Sequence, residues 1–163
     1  MKNIAFIGTS HIHTPNFISR VNSNNQINCI GVWDKDKNRS KSYSEKLQCK
    51  NYDNYIDLLK EPNLDGVIVC SETNLHYELV KKITENKKHC FIEKPLGIGK
   101  KDSFEMANLI ESSNIIFQTG YFMRSNPVYI KLKELIAANY FGEISRIRLI
   151  NCHDGLMLSL IHI

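Results

Sequence analysis

The stretch IAFIGTSHIHTPNF, Ile4 to Phe17, decides how the rest of the chain is read. Four apolar residues, Ile4 to Ile7, run into Gly8, a small polar turn comes next, and Pro15 stands where a helix would start. A buried strand, a glycine turn and a helix N-terminus are the parts of a dinucleotide-binding βαβ unit. The fingerprint of that unit has three glycines: one for the turn, one for close approach to a pyrophosphate, one for helix–strand packing. Gly8 fills the first place, Ser10 stands at the second and His13 at the third. Ser10 is small and carries a hydroxyl that suits a phosphate. His13 implies a longer loop, with the helix beginning at Pro15 and its amides facing the ligand. Thr14 is the expected cap of that helix, since proline loses nothing in the first turn. Two other readings of His11 and His13 stand beside the cofactor loop. They are a pair of metal ligands, for which the spacing supplies no third member, or two exposed loop histidines.

Further along, short apolar runs recur at 3–8, 27–33, 65–70, 89–93 and 115–120. They are continuous rather than alternating, as in strands covered by helices on both faces. Between them lie helix-like segments at about 15–23, 36–48, 53–60, 74–86 and 101–113. This alternation predicts an α/β domain, a doubly wound parallel sheet of Rossmann-like form, over residues 1–121. Asn126-Pro127 then starts a helix expected to run to about Tyr140, with Gly142 to stop it. The run EISRIRLINC from Glu143 is read as a half-buried antiparallel strand. Residues 122–157 thus look like the first helix and strand of an incomplete α+β unit.

Composition narrows the function classes. The chain has 163 residues, 42% of them hydrophobic, and a formal charge of +4 from 21 basic and 17 acidic residues. Lysines are interspersed with acids, so no basic face for nucleic acid emerges. No run approaches the roughly 20 apolar residues of a membrane span. Five cysteines without a C-x-x-C pair, three of them inside apolar runs, suit a reducing compartment. The expectation is a cytoplasmic protein without membrane partners.

Three further stretches carry candidate chemistry. Asp34, at the end of the second strand, is placed to accept hydrogen bonds from ribose hydroxyls and so to select NAD; it is equally an ordinary turn residue. Lys35, Lys37 and Arg39 leave NADP open. After Cys70, Ser71 and Thr73 either cap a helix or touch the cofactor, and His76 comes in the first turn at the ligand-binding edge of the sheet. The strongest signal is CFIEKPLG: Glu93 and Lys94 close a buried strand and Pro95 stiffens the turn, which brings the Lys94 ammonium to the ligand crevice.

These pieces together, IGTSHIH, GVWD, CSETNLHYE, FIEKPLG and GYFMRSNPVY with FGEI, resemble the Gfo/Idh/MocA (glucose–fructose oxidoreductase, inositol dehydrogenase) family over about residues 3–150. The resemblance implies an NAD(P)-dependent dehydrogenase of a sugar, inositol or related polyol, assembled as a homo-oligomer. It implies cofactor contacts from Gly8, Ser10, His11, His13, Asp34, Ser71, Thr73, His76 and Glu93. Lys94 is implied to meet the reacting substrate, with a cis bond before Pro95, and Arg124 to lie on the substrate side. No metal is implied. The alternative class is a non-catalytic nucleotide-binding or sensing module, for which Lys94 would be dispensable. Two glycines of the fingerprint are missing, and Ser71-Glu72-Thr73 stands where the family has Thr-Pro-Asn. The family also continues into a full substrate domain bearing a histidine acid/base. The tail at 158–163 reads as non-native sequence, so a truncated frame with little or no turnover is expected, against the alternative of a naturally short protein.

Overall fold

The computed structural model describes residues 1–150. They divide into one unit, Met1–Gly120, and a second that begins at Tyr121. The first unit alternates strand and helix: β1 Lys2–Thr9, α1 Thr14–Asn22, β2 Ile27–Trp33, α2 Lys37–Lys46, β3 Lys50–Asn51, α3 Tyr55–Leu59, β4 Gly66–Cys70, α4 His76–Glu85, β5 His89–Ile92, α5 Gly99–Ser113 and β6 Phe117–Thr119. A 3₁₀ turn, Thr73–Leu75, leads into α4. The strands form one sheet in the order β3-β2-β1-β4-β5-β6, and every pair is parallel. The doubly wound Rossmann fold expected from the sequence is the fold observed. Its order reverses direction between β1 and β4, which opens a crevice at the carboxyl ends of those strands.

The apolar runs explain the layers. Successive residues of a strand face opposite sides. Ala5 and Ile7 of β1 join Val67, Val69 and Ile92 against Leu58, Leu79, Val80, Ile83 and Met106 from α3, α4 and α5. Phe6 and Val32 face the other way, onto Ile18 and Val21 of α1. Both faces of the central strands are dry, hence the absence of in–out alternation.

Four local expectations change. β3 was not anticipated: its two residues, Lys50 and Asn51, are exposed and leave no hydrophobic signature. Thr14 does not cap α1. The cap position is His13, and the Thr14 side chain is buried, its hydroxyl without a hydrogen-bond partner among the described residues. The first turn is closed by the His13 carbonyl, which accepts from Asn16 N at 3.0 Å and Phe17 N at 3.2 Å. Third, residues 143–150 form no strand, and the end of the expected run, 151–152, lies outside the described residues, as does the 158–163 tail. A strand whose only signal is imperfect alternation needs a neighbour to complete its ladder.

In the second unit a short 3₁₀ turn, Phe122–Ser125, precedes α6, Pro127–Ala137. Asn126 caps it as expected, its side chain accepting from Val128 N at 2.9 Å. Fourth, the helix stops earlier than Tyr140, because Asn139 takes the left-handed conformation at φ 54° and the Tyr140 amide turns back to the Leu135 carbonyl. No helix among the described residues is long and apolar enough to cross a membrane.

Candidate functional site

The carboxyl ends of β1, β4 and β5 gather most of the candidate residues. Gly8 has φ +75°, and a Cβ there would lie 2.4 Å from Ser71 Cβ and 2.7 Å from Ser71 Cα. Both the turn and the close approach of two strand ends therefore demand glycine. Beyond it the loop is tied to β4: His11 N donates to the Cys70 carbonyl at 3.0 Å, and Ser10 Oγ reaches the same oxygen at 3.4 Å. His11 Nδ1 accepts from His13 N at 3.2 Å. The Cys70 thiol behind the loop is buried, which pushes its pKa up to about 12 and makes it an inert neighbour.

Asp34 is 1% exposed and fully engaged. Its Oδ2 accepts from Thr9 N and Thr9 Oγ1, both at 2.6 Å, and from Arg39 Nε at 3.0 Å. Its Oδ1 accepts from Arg39 Nη2 at 2.7 Å and Asp36 N at 2.8 Å. Burial alone would raise its pKa, but the Arg39, Thr9 and Asp36 donors outweigh burial and hold it below the ordinary aspartate value. A carboxylate has about four lone-pair positions, so a ribose hydroxyl reaches Asp34 only by displacing a donor, and Arg39 is the one on a long, partly exposed side chain. Arg39 also lies 3.7 Å from Glu72 Oε1, which pairs the acid at the family's proline position with a cation.

Glu93 and Lys94 form the opposite wall. Glu93 is 2% exposed. Its Oε2 accepts from Lys94 N at 2.8 Å, and its Oε1 lies 2.9 Å from His13 Nδ1. Gly120 gives this carboxylate room: a Cβ there would come within 2.8 Å of Glu93 Oε2. The Lys94–Pro95 bond is cis, as the resemblance implied. His76 fixes the turn after Lys94. Its ring, 1% exposed, bonds through Nδ1 to the carbonyls of Pro95 at 3.0 Å and Leu96 at 3.1 Å, with Nε2 3.4 Å from the Ser71 carbonyl. Burial lowers its pKa against the opposing pull of the Leu96, Ser71 and Pro95 carbonyls and Glu93, which favours the neutral imidazole; the two short carbonyl contacts assign its proton to Nδ1. Lys94 itself is half-buried, with no carboxylate within salt-bridge distance among the described residues. Ser71 is buried, its Oγ 3.3 Å from the Glu72 carbonyl. Thr73 opens the 3₁₀ turn before α4 and caps nothing. Arg124 lies in the second unit, within its 3₁₀ turn.

Two groupings escaped the sequence. The Asp34–Arg39 pair had a faint signal, an arginine in the first turn of the helix that comes after the acid. The meeting of His13 with Glu93, 80 positions apart, had none. It also provides the third member that the metal reading lacked, because His11, His13 and Glu93 each place a ligand atom within 4.8 Å of the others.

A parallel sheet in this order, with a glycine turn at its switch point and a lysine on the neighbouring strand end, defines a nucleotide-binding α/β domain. Residues 2–121 match the family model described as "Oxidoreductase family, NAD-binding Rossmann fold", and the chain belongs to that family, Gfo/Idh/MocA. It is 35% identical over 113 residues to a myo-inositol 2-dehydrogenase of Thermotoga maritima, covering 69% of this chain and 34% of the relative. It is 27% identical over 134 residues to a scyllo-inositol 2-dehydrogenase (NAD(+)) of Bacillus subtilis, covering 82% and 38%. A probable dehydrogenase from Thermotoga maritima superposes with a TM-score of 0.73 at 31% identity, covering 86% of this chain and 42% of that one. The chain spans about a third of the length of these curated relatives.

Proposed function

We propose that residues 1–121 are the cofactor-binding part of an NAD(P)-dependent dehydrogenase that acts on a sugar, inositol or related polyol. The observation that carries this reading is Lys94. Its backbone is anchored through Glu93 to the first loop, its following turn is latched by His76, and its ammonium is left without a structural ion pair among the described residues. A lysine fixed at both flanks and unspent at its tip, at the edge where such sheets bind ligands, is placed for chemistry rather than for folding. The inositol dehydrogenases among the relatives support the substrate class.

The residues present fit a dinucleotide. The turn at Gly8 admits no Cβ, the α1 N-terminus points its dipole at the same crevice, and Thr9, Asp34 and Arg39 form a polar wall at the end of β2. Ser10, His11 and His13 line the loop, and Ser71 and Thr73 the facing edge. Bound there, a nicotinamide supplies the hydride acceptor. Lys94 would donate a hydrogen bond to the substrate hydroxyl oxygen and stabilise the negative charge that grows on it as a general base takes the hydroxyl proton, ahead of hydride departure from the carbinol carbon. His76 and Glu93 act through Lys94 and Pro95 as positioning residues. Arg124 is assigned to the substrate side.

The test has two parts. NADH and NADPH are titrated into the 163-residue chain and into Lys94→Ala by fluorescence. Saturable binding by both proteins is expected, weak in keeping with a loop that retains one of three fingerprint glycines. In a version of the chain extended to the length of its relatives, Lys94→Ala is expected to lower kcat by at least about 100-fold, the low end for a group acting on a developing charge. Equal rates with and without Lys94 would favour a sensing module.

A further inference from the structure

We propose that His11, His13 and Glu93 form a divalent metal site of the zinc class, with its remaining positions open to water or a phosphate oxygen. Two imidazoles and a carboxylate suit Zn²⁺ and Co²⁺ rather than Mg²⁺ or Ca²⁺, which prefer oxygen alone. The three groups lie within 4.8 Å of one another. Bonds of about 2.0–2.1 Å in tetrahedral geometry put ligand atoms roughly 3.4 Å apart, so the cluster needs only side-chain closure of about 1.5 Å.

The surroundings favour that closure. The His11 backbone is pinned to the Cys70 carbonyl, and the His11 ring stacks edge-on against His13 with centroids 4.7 Å apart. Glu93, only 2% exposed, keeps one oxygen toward His13 and gives the other to Lys94 N, which orients it. A dication held between the two histidines and this carboxylate would take the place of the single His13 contact now made by Glu93 Oε1. His13, 39% exposed at its side chain, leaves a route for the ion from solvent. Three protein ligands with an open face is the pattern of reactive rather than structural zinc sites.

This goes beyond the dehydrogenase reading, and its test uses metal alone without dinucleotide, so neither result depends on the other. Chelator-treated 163-residue chain is titrated with Co²⁺ and with Zn²⁺. One equivalent is expected to bind, giving Co²⁺ ligand-field absorption without the sulfur charge-transfer band of cysteine ligation. His11→Ala and His13→Ala are each expected to weaken binding at least tenfold, while His89→Ala, at the exposed start of β5, leaves it unchanged. Glu93→Gln should do the same as the loop variants if its circular dichroism matches wild type; a misfolded Glu93 variant leaves the decision to the two histidines. No stoichiometric uptake, uptake indifferent to both histidines, or a sulfur band would overturn the proposal.

Discussion

Replacing Arg39 by alanine isolates the charge network built around the buried Asp34. Asp34 is almost fully buried and receives two of its five hydrogen bonds from the guanidinium. Removing one partner of a buried ion pair costs about 3–5 kcal/mol. The Arg39 side chain is 30% exposed, so water reaches the gap, and Thr9 and Asp36 still hold the carboxylate. The expected loss is therefore about 2–3 kcal/mol at pH 7. Linkage gives the sign of its pH dependence. In the wild type, Asp34 has a lowered pKa and contributes stability that is present above the unfolded value and lost as pH falls through the folded one. Without Arg39 the raising effect of burial is less opposed, so the variant's Asp34 takes up its proton at higher pH. The difference between the two proteins should thus be full at pH 7 and shrink as pH drops below the variant's pKa. Urea unfolding at pH 7 and pH 4 measures both quantities. A difference under about 0.5 kcal/mol at pH 7, the size of an ordinary surface substitution, or one that does not shrink at pH 4, refutes the reasoning.

The same geometry sets other outcomes. Gly8→Ala meets both a left-handed backbone and the Ser71 backbone at 2.7 Å; it should lose roughly 2–4 kcal/mol in urea unfolding and all measurable NADH binding. His76→Gln should flatten the stability profile on the acid side. The wild-type imidazole has a lowered pKa, so its contribution is present above about pH 6.5 and declines as pH falls toward the folded value; a variant with the same slope between pH 7.5 and 5.5 would contradict this. Lys94→Ala should leave unfolding within about 0.5 kcal/mol of wild type, because no ion pair among the described residues depends on it. Arg39→Ala should also lower the ratio of NADPH to NADH affinity, read by fluorescence titration, since the guanidinium is the cation nearest the Asp34 wall.

The sequence disclosed whatever was repeated along the chain. The runs that became β1, β2, β4 and β5 are largely apolar, because the central strands are buried on two faces. β3 was invisible because a two-residue edge strand with exposed side chains needs no hydrophobic pattern. The run from Glu143 misled for the opposite reason: Ile144, Ile147 and Leu149 suggest a strand, but in residues 143–150 no neighbouring strand completes a ladder. At the site, Gly8 and Lys94 were legible as a turn glycine and a strand-end cation. Partnerships were not. Asp34 reads as an open acceptor until Arg39 and Thr9 are seen to occupy it, and His76 reads as a ligand-facing residue until its ring is found beneath the Pro95–Leu96 turn. Side-chain pairing between segments 25 or 80 residues apart leaves no local periodicity to read.

Whether the crevice at the carboxyl ends of β1, β4 and β5 holds the dinucleotide is tested most directly by hydrogen–deuterium exchange of the chain with and without saturating NADH. Slowed exchange confined to residues 8–14, 33–39, 71–75 and 93–97 is the predicted result. Slowing elsewhere in the sheet or helices with those segments unchanged, or no change at all at millimolar NADH, would contradict it.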